Sequence, residues 1–251
     1  MSQFILVETH PTIALVTLNR VERHNALVPE FLRELIAALT ALREQPGLRA
    51  LVLQANGRSF STGGDVRAFA DALDVQTFAN DIVGTLNQTI LALTQFPMPI
   101  VAAVHGIVTG GSLGLVLASD LVFVAPQASF TPYYSVVGSS PDGGWTAMLP
   151  AIIGAKRASE IVMLNQTITA EQAVAWGMAN RVVAAEEIRA EAFAVAQTIA
   201  QKKPASVTRA KRLLWGDAAQ LAQKLEAERV QFVEQIGTTE ARAGMIGFLK
   251  R

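Results

Sequence analysis

The sequence of 251 residues contains no cysteine. A disulfide framework, a thiolate nucleophile and a cysteine-ligated metal site are thereby excluded, and a reducing compartment such as the cytoplasm fits. An excess of charge of one sign is lacking too. The 21 basic and 21 acidic residues cancel, which leaves no extended field to draw in nucleic acid or an anionic membrane, although local basic groups can still bind phosphates. No uninterrupted apolar stretch approaches the roughly 20 residues that span a bilayer. The opening MSQFILVETH carries no basic leader and reads as a strand rather than a signal peptide. A cytoplasmic protein with no nucleic-acid or membrane partner is the expectation. Histidine is scarce, with only His10, His24 and His105, so no Ser-His-Asp set assembles with any specificity. No P-loop Lys-Ser/Thr follows a glycine turn, and Gly110-Gly111-x-x-Gly114 is not a dinucleotide fingerprint. Nothing indicates a metal or a redox cofactor.

What is present is apolar: hydrophobic residues make up 51% of the chain, enough for a sizeable core in one large domain or two small ones. Residues 4–7 and 13–18 are β-rich runs around a His10-Pro11 turn, which predicts a hairpin. Pro29 opens a helical period to residue 43; strands are predicted at 50–54, 100–104 and 121–124, and helices at 75–93 and from Ser112. Strands alternating with helices imply crossovers and a largely parallel sheet. Beyond Gly144 the pattern turns helical, at 156–164, 170–176, 188–201, 205–214 and 218–236, with a capping box at Thr169-Ala-Glu-Gln172. The class is α/β with a helical C-terminal region.

Two glycine turns stand out. Gly63-Gly64-Asp65 and Gly110-Gly111-Ser112 each follow an apolar strand-like run and open a probable helix. Backbone N–H groups from two such turns can aim at one point and hold a developing oxyanion, which points to chemistry on a carbonyl. These segments, with Val16-Thr-Leu-Asn-Arg20, Asn25-Ala-Leu27, Ser119-Asp120, Pro141-Asp-Gly-Gly144, Thr169-Ala170 and Trp176-Gly177, resemble the crotonase (enoyl-CoA hydratase/isomerase) superfamily. The resemblance implies a spiral of ββα units as the core, over residues 1–195, and a helical trimerisation region over 196–251. It implies a homotrimer or homohexamer acting on acyl-CoA thioesters, with coenzyme A as part of the substrate and no tightly bound cofactor. Gly64 and Gly111 become the oxyanion donors.

The chain departs from the family's hydratases, which hold water between two glutamates. Gly114 stands three residues after the second oxyanion glycine, where the first glutamate is expected, and Tyr134 stands four after Phe130, where the second is. A phenol with an ordinary pKa near 10 is a poor base at neutral pH, and glycine is none. The carboxylate that remains nearby is Asp142. Its Pro141-Asp142-Gly143-Gly144 setting is similar to that of crotonase-fold isomerases, and the family's 4-chlorobenzoyl-CoA dehalogenase has a nucleophilic aspartate at the matching position. Asp142 is therefore read as a base or nucleophile, or else as a cap on a helix beginning near Gly143. A C=C shift from the 3,4 to the 2,3 position of an acyl-CoA, with Asp142 as proton shuttle, is the leading reaction. Hydration and a non-catalytic acyl-CoA-binding subunit are the alternatives. Dehalogenation lacks the later base, since no histidine lies in the first glycine turn.

The resemblance assigns coenzyme A contacts to Asn25, Ala26, Leu27, Ser61, Thr62 and Gly64. Arg20 and Arg23, or Phe248, Lys250 and Arg251, are candidates for meeting its 3′-phosphate. Tyr133, Tyr134, Ser139 and Ser140 are candidates for lining the acyl pocket or hydrogen-bonding Asp142, Trp145 for the acyl pocket, residues 67–80 for covering the acyl tail, and His105 for structural packing.

Overall fold

A computed structural model describes residues 3–250. Among these residues nine strands run in chain order: β1 (Ile5–Thr9), β2 (Ile13–Leu18), β3 (Ala50–Ala55), β4 (Ile100–Val104), β5 (Ile107–Thr109), β6 (Leu121–Val124), β7 (Ser129–Thr131), β8 (Ile168–Thr169) and β9 (Arg181–Val182). Six of them form one sheet in the order β1-β2-β3-β4-β6-β9, antiparallel at β1/β2 and parallel thereafter. The other three form a small sheet, β5-β7-β8. The helices are α1 (Pro29–Arg43), α2 (Val66–Asp71), α3 (Val75–Thr94), α4 (Leu113–Leu117), α5 (Tyr134–Val137), α6 (Leu149–Ile153), α7 (Ala155–Leu164), α8 (Ala170–Ala175), α9 (Ile188–Ala200), α10 (Pro204–Trp215), α11 (Ala218–Ile236) and α12 (Thr239–Leu249).

Every residue of β3 and β4 is buried, the mark of central parallel strands covered on both faces. Alternation sorts their side chains between two layers. Leu51, Leu53, Ile100 and Ala102 join the main core with α1 and α3, whereas Ala50, Val52, Val101 and Ala103 pack beneath α9 on Ile188, Ala192 and Ala196. The small side chains on α9 let that helix sit close to the sheet.

The predicted hairpin, α1 and the strands at 100–104 and 121–124 appear as expected, and Thr169 and Gln172 form the capping box. The elements not predicted are short: α2, α5, α6, β5, β7 and the two-residue strands β8 and β9 lack the length over which a period shows. α12 is longer but amphipathic only weakly, with Gly244 and Gly247 breaking its apolar stripe.

The C-terminal helices pack on the core of their own chain. Leu225, Phe232 and Ile236 of α11 belong to the main hydrophobic cluster, and Asn87 of α3 donates a 3.0 Å bond to the Leu225 carbonyl. α10 is anchored by Lys211, whose Nζ lies 2.7 Å from Asp120 Oδ2 and 3.2 Å from the carbonyls of Leu93 and Met98. Asp120 also accepts from the Ile100 N–H at 2.8 Å and from Trp215 Nε1 at 2.7 Å. Asp120, one of the motif residues, is thus a structural node under β4.

Candidate active site

The two glycine turns meet. Gly63 has a φ of +74°, and a Cβ placed on it would lie 2.5 Å from the Thr109 carbonyl oxygen and 3.3 Å from Gly110 Cα. Only glycine permits both the conformation and the approach. On either side of Gly64, Leu27 donates to the Gly63 carbonyl at 2.7 Å and Asp65 donates to the Leu27 carbonyl at 3.0 Å. These bonds fix the Gly64 peptide, while its own N–H has no backbone acceptor among the described residues. Gly111 lies in the 3₁₀ turn Gly110–Ser112, where N–H groups at a helix start have no partner of their own. Ser112 Oγ bridges the turns, 2.9 Å from the Ser61 carbonyl and 2.7 Å from that of Thr109. Two fixed N–H donors on adjoining turns are what oxyanion stabilisation requires.

Asp142 lies against the second turn. A Cβ on Gly111 would come within 3.0 Å of Asp142 Oδ2 and 3.1 Å of Oδ1. Gly143, at φ +61°, packs so closely that its own Cβ would lie 2.4 Å from the Gly111 carbonyl oxygen. Residues 143–148 are turns and the next helix begins at Leu149, so the helix-cap reading of Asp142 is corrected. Tyr134 donates its hydroxyl to Asp142 Oδ1 at 2.6 Å and lies 3.0 Å from the Asp142 carbonyl oxygen.

Burial pushes the Asp142 carboxyl up to about 7; the Tyr134 hydrogen bond works the other way, and the charge of Glu228 adds to the rise. Burial, and then the Asp142 charge, push the Tyr134 phenol well above its ordinary value of 10.0. Glu228, from α11, is itself buried. Its Oε2 accepts from the Gly144 N–H at 2.8 Å, and its Oε1 accepts from Thr146 N–H and Oγ1 at 2.7 Å and Ala147 N–H at 2.8 Å. Sequence reading missed Glu228 because it sits between Glu226 and Arg229 in a charged helix. Its signal was positional: it shares the apolar stripe of Leu225 and Phe232, where an acid is out of place.

Position 114 is closed. A Cβ on Gly114 would meet Ile90 Cδ1 at 2.4 Å and the Gly143 carbonyl oxygen at 2.8 Å, so the glutamate that the sequence lacks there has no room either.

A cavity of about 420 Å³ opens over Gly64, Gly111 and Asp142. Of the other residues singled out, Ala26, Leu27, Thr62, Tyr133, Tyr134, Ser139 and Phe248 face it. Three do not. Asn25 is fully buried and pins the loop before α1, accepting from the Arg20 N–H at 2.7 Å and donating to the carbonyls of Asn56 and Ser59 at 2.9 and 3.1 Å. Ser61 is buried and donates to the Asn25 carbonyl at 2.7 Å. Trp145 is buried beneath the second glycine turn, its Nε1 2.8 Å from the Gly110 carbonyl, and braces that turn rather than lining the pocket.

Arg20 and Arg23 are engaged with Asp65, at 3.0 and 2.9 Å. Burial works to raise the Asp65 carboxyl, but the bonds and charges of Arg23 and Arg20 together hold it below its ordinary value. Of the pair, Arg23 borders the cavity. Lys250 is exposed just beyond α12 and outside the cavity wall, and Arg251 lies outside the described residues. His105 Nε2 is 2.7 Å from the Gly57 carbonyl, a packing role. From the 67–80 segment, Arg67 and Phe69 reach the cavity; Phe69 lies edge-on to Phe78 with centroids 5.0 Å apart. Phe232 and Ile236 of α11 and Met245 of α12 complete an apolar roof. Among the described residues no helix is long and apolar enough to cross a membrane, and no group of three His, Asp or Glu side chains is placed to hold a metal.

The family model described as enoyl-CoA hydratase/isomerase matches residues 8–251. A Mycobacterium tuberculosis protein named "Probable enoyl-CoA hydratase EchA12" is 32% identical over 237 residues, covering 89% of this chain and 82% of that protein. The 4-chlorobenzoyl coenzyme A dehalogenase-2 of an Arthrobacter species is 30% identical over 198 residues, 78% of this chain and 72% of that one. Among solved structures, an enoyl-CoA hydratase/isomerase from Xanthobacter autotrophicus Py2 superimposes with a TM-score of 0.89 at 30% identity, covering 100% of this chain and 94% of the other. With a family model spanning nearly its whole length and the crotonase fold around two converging glycine turns, the chain belongs to the enoyl-CoA hydratase/isomerase family.

Proposed function

We propose that the protein is an enoyl-CoA isomerase that moves a C=C bond of an acyl-CoA from the 3,4 to the 2,3 position, with Asp142 carrying the proton. The observation that supports this most is the placement of one buried carboxyl, poised near 7, directly against an oxyanion-hole glycine. The Gly64 and Gly111 N–H groups take the thioester oxygen. Asp142 Oδ2, the oxygen that Tyr134 leaves free, removes a proton from C2; the electrons of that C–H bond form C1=C2 as those of the thioester C=O pass to the oxygen, and when they return the C1=C2 pair forms C2=C3 while the C3=C4 pair bonds a proton at C4. The same carboxyl returns the proton to C4, and no water is added. Pooling the charge on the oxygen during this transfer is the task of the two N–H donors, and a pKa near the working pH suits a group that both takes and gives a proton.

Two-glutamate hydration has little support here, because position 114 is packed shut and Tyr134 is committed as a donor to Asp142. The assembly that goes with the reading is a homotrimer or homohexamer, and Met163 and Leu164 on α7, 75% and 65% exposed, are apolar groups such an assembly would cover.

The test is incubation of the purified protein with a 3-enoyl-CoA and, separately, a 2-enoyl-CoA, followed by chromatography and mass spectrometry. Conversion of the first without mass change, abolished by Asp142→Asn, is expected. A gain of one water on the second would replace the reading with hydration, and CoA binding without turnover of either would replace it with a binding subunit.

A further inference from the structure

Glu228 belongs to no sequence motif and has no atom in the cavity wall. It is nevertheless a carboxylate only 4% exposed, and every hydrogen bond to its oxygens comes from residues 144–147, more than eighty positions earlier. Three of those four donors are backbone N–H groups of a single turn. Without an acceptor they would be buried and unpaired, which turns rarely tolerate. The turn itself is held in an uncommon shape, with Gly143 at φ +61° and Gly144 at φ +89°, and this shape lays Asp142 against Gly111. The pattern of converging donors is the one an ionised carboxyl satisfies.

The charged or titratable groups facing Asp142 are few. Tyr134 comes from α5 and Glu228 from α11; Leu86 from α3, Gly111 from the oxyanion turn and Trp145 bring none.

We propose that Glu228 is a positioning residue: from α11 it clamps the turn that carries Asp142 over the oxyanion hole, and its buried negative charge sets how readily Asp142 takes up a proton. The catalytic consequence rests on the reading of Asp142 as proton shuttle, whereas the effect on Asp142 itself does not. A region that reads as an oligomerisation element thereby contributes to the reactivity of the site.

The experiment is a pH titration of the protein carrying ¹³C-labelled aspartate carboxyls, with the Asp142 resonance assigned by its loss in Asp142→Asn. The wild-type midpoint is expected near 7. In Glu228→Gln, which keeps an acceptor and removes the charge, the midpoint falls by about one unit, and hydrogen exchange at residues 144–147 quickens at least about tenfold. Thr146→Val removes one hydrogen bond and no charge, and leaves the midpoint in place. An unmoved midpoint in Glu228→Gln, or an equal fall in Thr146→Val, overturns the proposal, as does unchanged exchange in the turn. Should Glu228→Gln fail to fold by circular dichroism, Glu228→Asp draws the charge back toward α11 and must lower the midpoint by a smaller amount; no fall refutes the proposal. With 3-enoyl-CoA, the acid limb of kcat/KM moves in step with the carboxyl midpoint. If the carboxyl midpoint moves but no variant or wild type isomerises a 3-enoyl-CoA, the functional reading fails and the role of Glu228 stands.

Discussion

Replacing Asp142 by Asn should stabilise the fold at alkaline pH and do so less at acid pH. The carboxyl has an ordinary value of 3.8 and rises to about 7 in the folded protein, chiefly through burial. Between these values the folded state holds a proton that the unfolded chain has released, so raising the pH weakens the fold; above 7 both states are ionised and the cost stays constant. Over the whole window this amounts to about 4 kcal/mol, from roughly 3 units at about 1.4 kcal/mol each. Asparagine keeps the shape and an oxygen to accept from Tyr134, but carries no charge to desolvate. Its advantage over aspartate should therefore grow by about 3 kcal/mol between pH 5 and pH 8, as an upper bound. For a chain of this size that is roughly 6–12 °C in Tm. Thermal unfolding of both proteins followed by circular dichroism from pH 5 to 9 gives the answer directly. A Tm difference that does not change with pH would show that Asp142 titrates at its ordinary value, and the account of a poised buried base would fail with it.

Tyr134→Phe removes the donor that favours the ionised form of Asp142. A hydrogen bond to a charged acceptor contributes about 1.5–3 kcal/mol, so the acid limb of isomerisation should move up by about one to two units; a limb that moves down or stays refutes the arrangement. Gly114→Glu should not create a hydratase: its side chain must displace Ile90 or the Gly143 carbonyl, and the variant should instead lose about 1–3 kcal/mol of stability through overpacking. A water-adding Gly114→Glu protein, measured by the mass of its product, would contradict the packing. Lys211→Ala leaves Asp120 with its backbone and indole donors but no cation, and a loss of about 3 kcal/mol in urea unfolding is expected; a loss within experimental error would make the pair superficial.

The sequence by itself determined the class of the protein. Long periodic segments such as α1, α3 and α11 and the buried runs of β3 and β4 were legible because their side chains repeat over enough turns or residues to show which layer each one faces. The glycine turns were legible for a local reason as well: a positive φ at Gly63 and a close approach at Gly111 demand glycine, whatever surrounds them. Asp142 stood out by its Pro141-Asp142-Gly143-Gly144 setting, through the resemblance of that setting to crotonase-fold isomerases. The partners of these residues were decided only in three dimensions. Asn25, Ser61 and Trp145 share their motifs with cavity-lining residues yet point into the protein. Arg23 and Arg20, free cations on paper, are spent on Asp65. Tyr134 and Asp142 become a hydrogen-bonded pair, and Glu228 reaches their loop from α11. A burial-driven rise in a carboxyl's proton affinity depends on which atoms exclude water from it, and those atoms come from segments far apart in the chain.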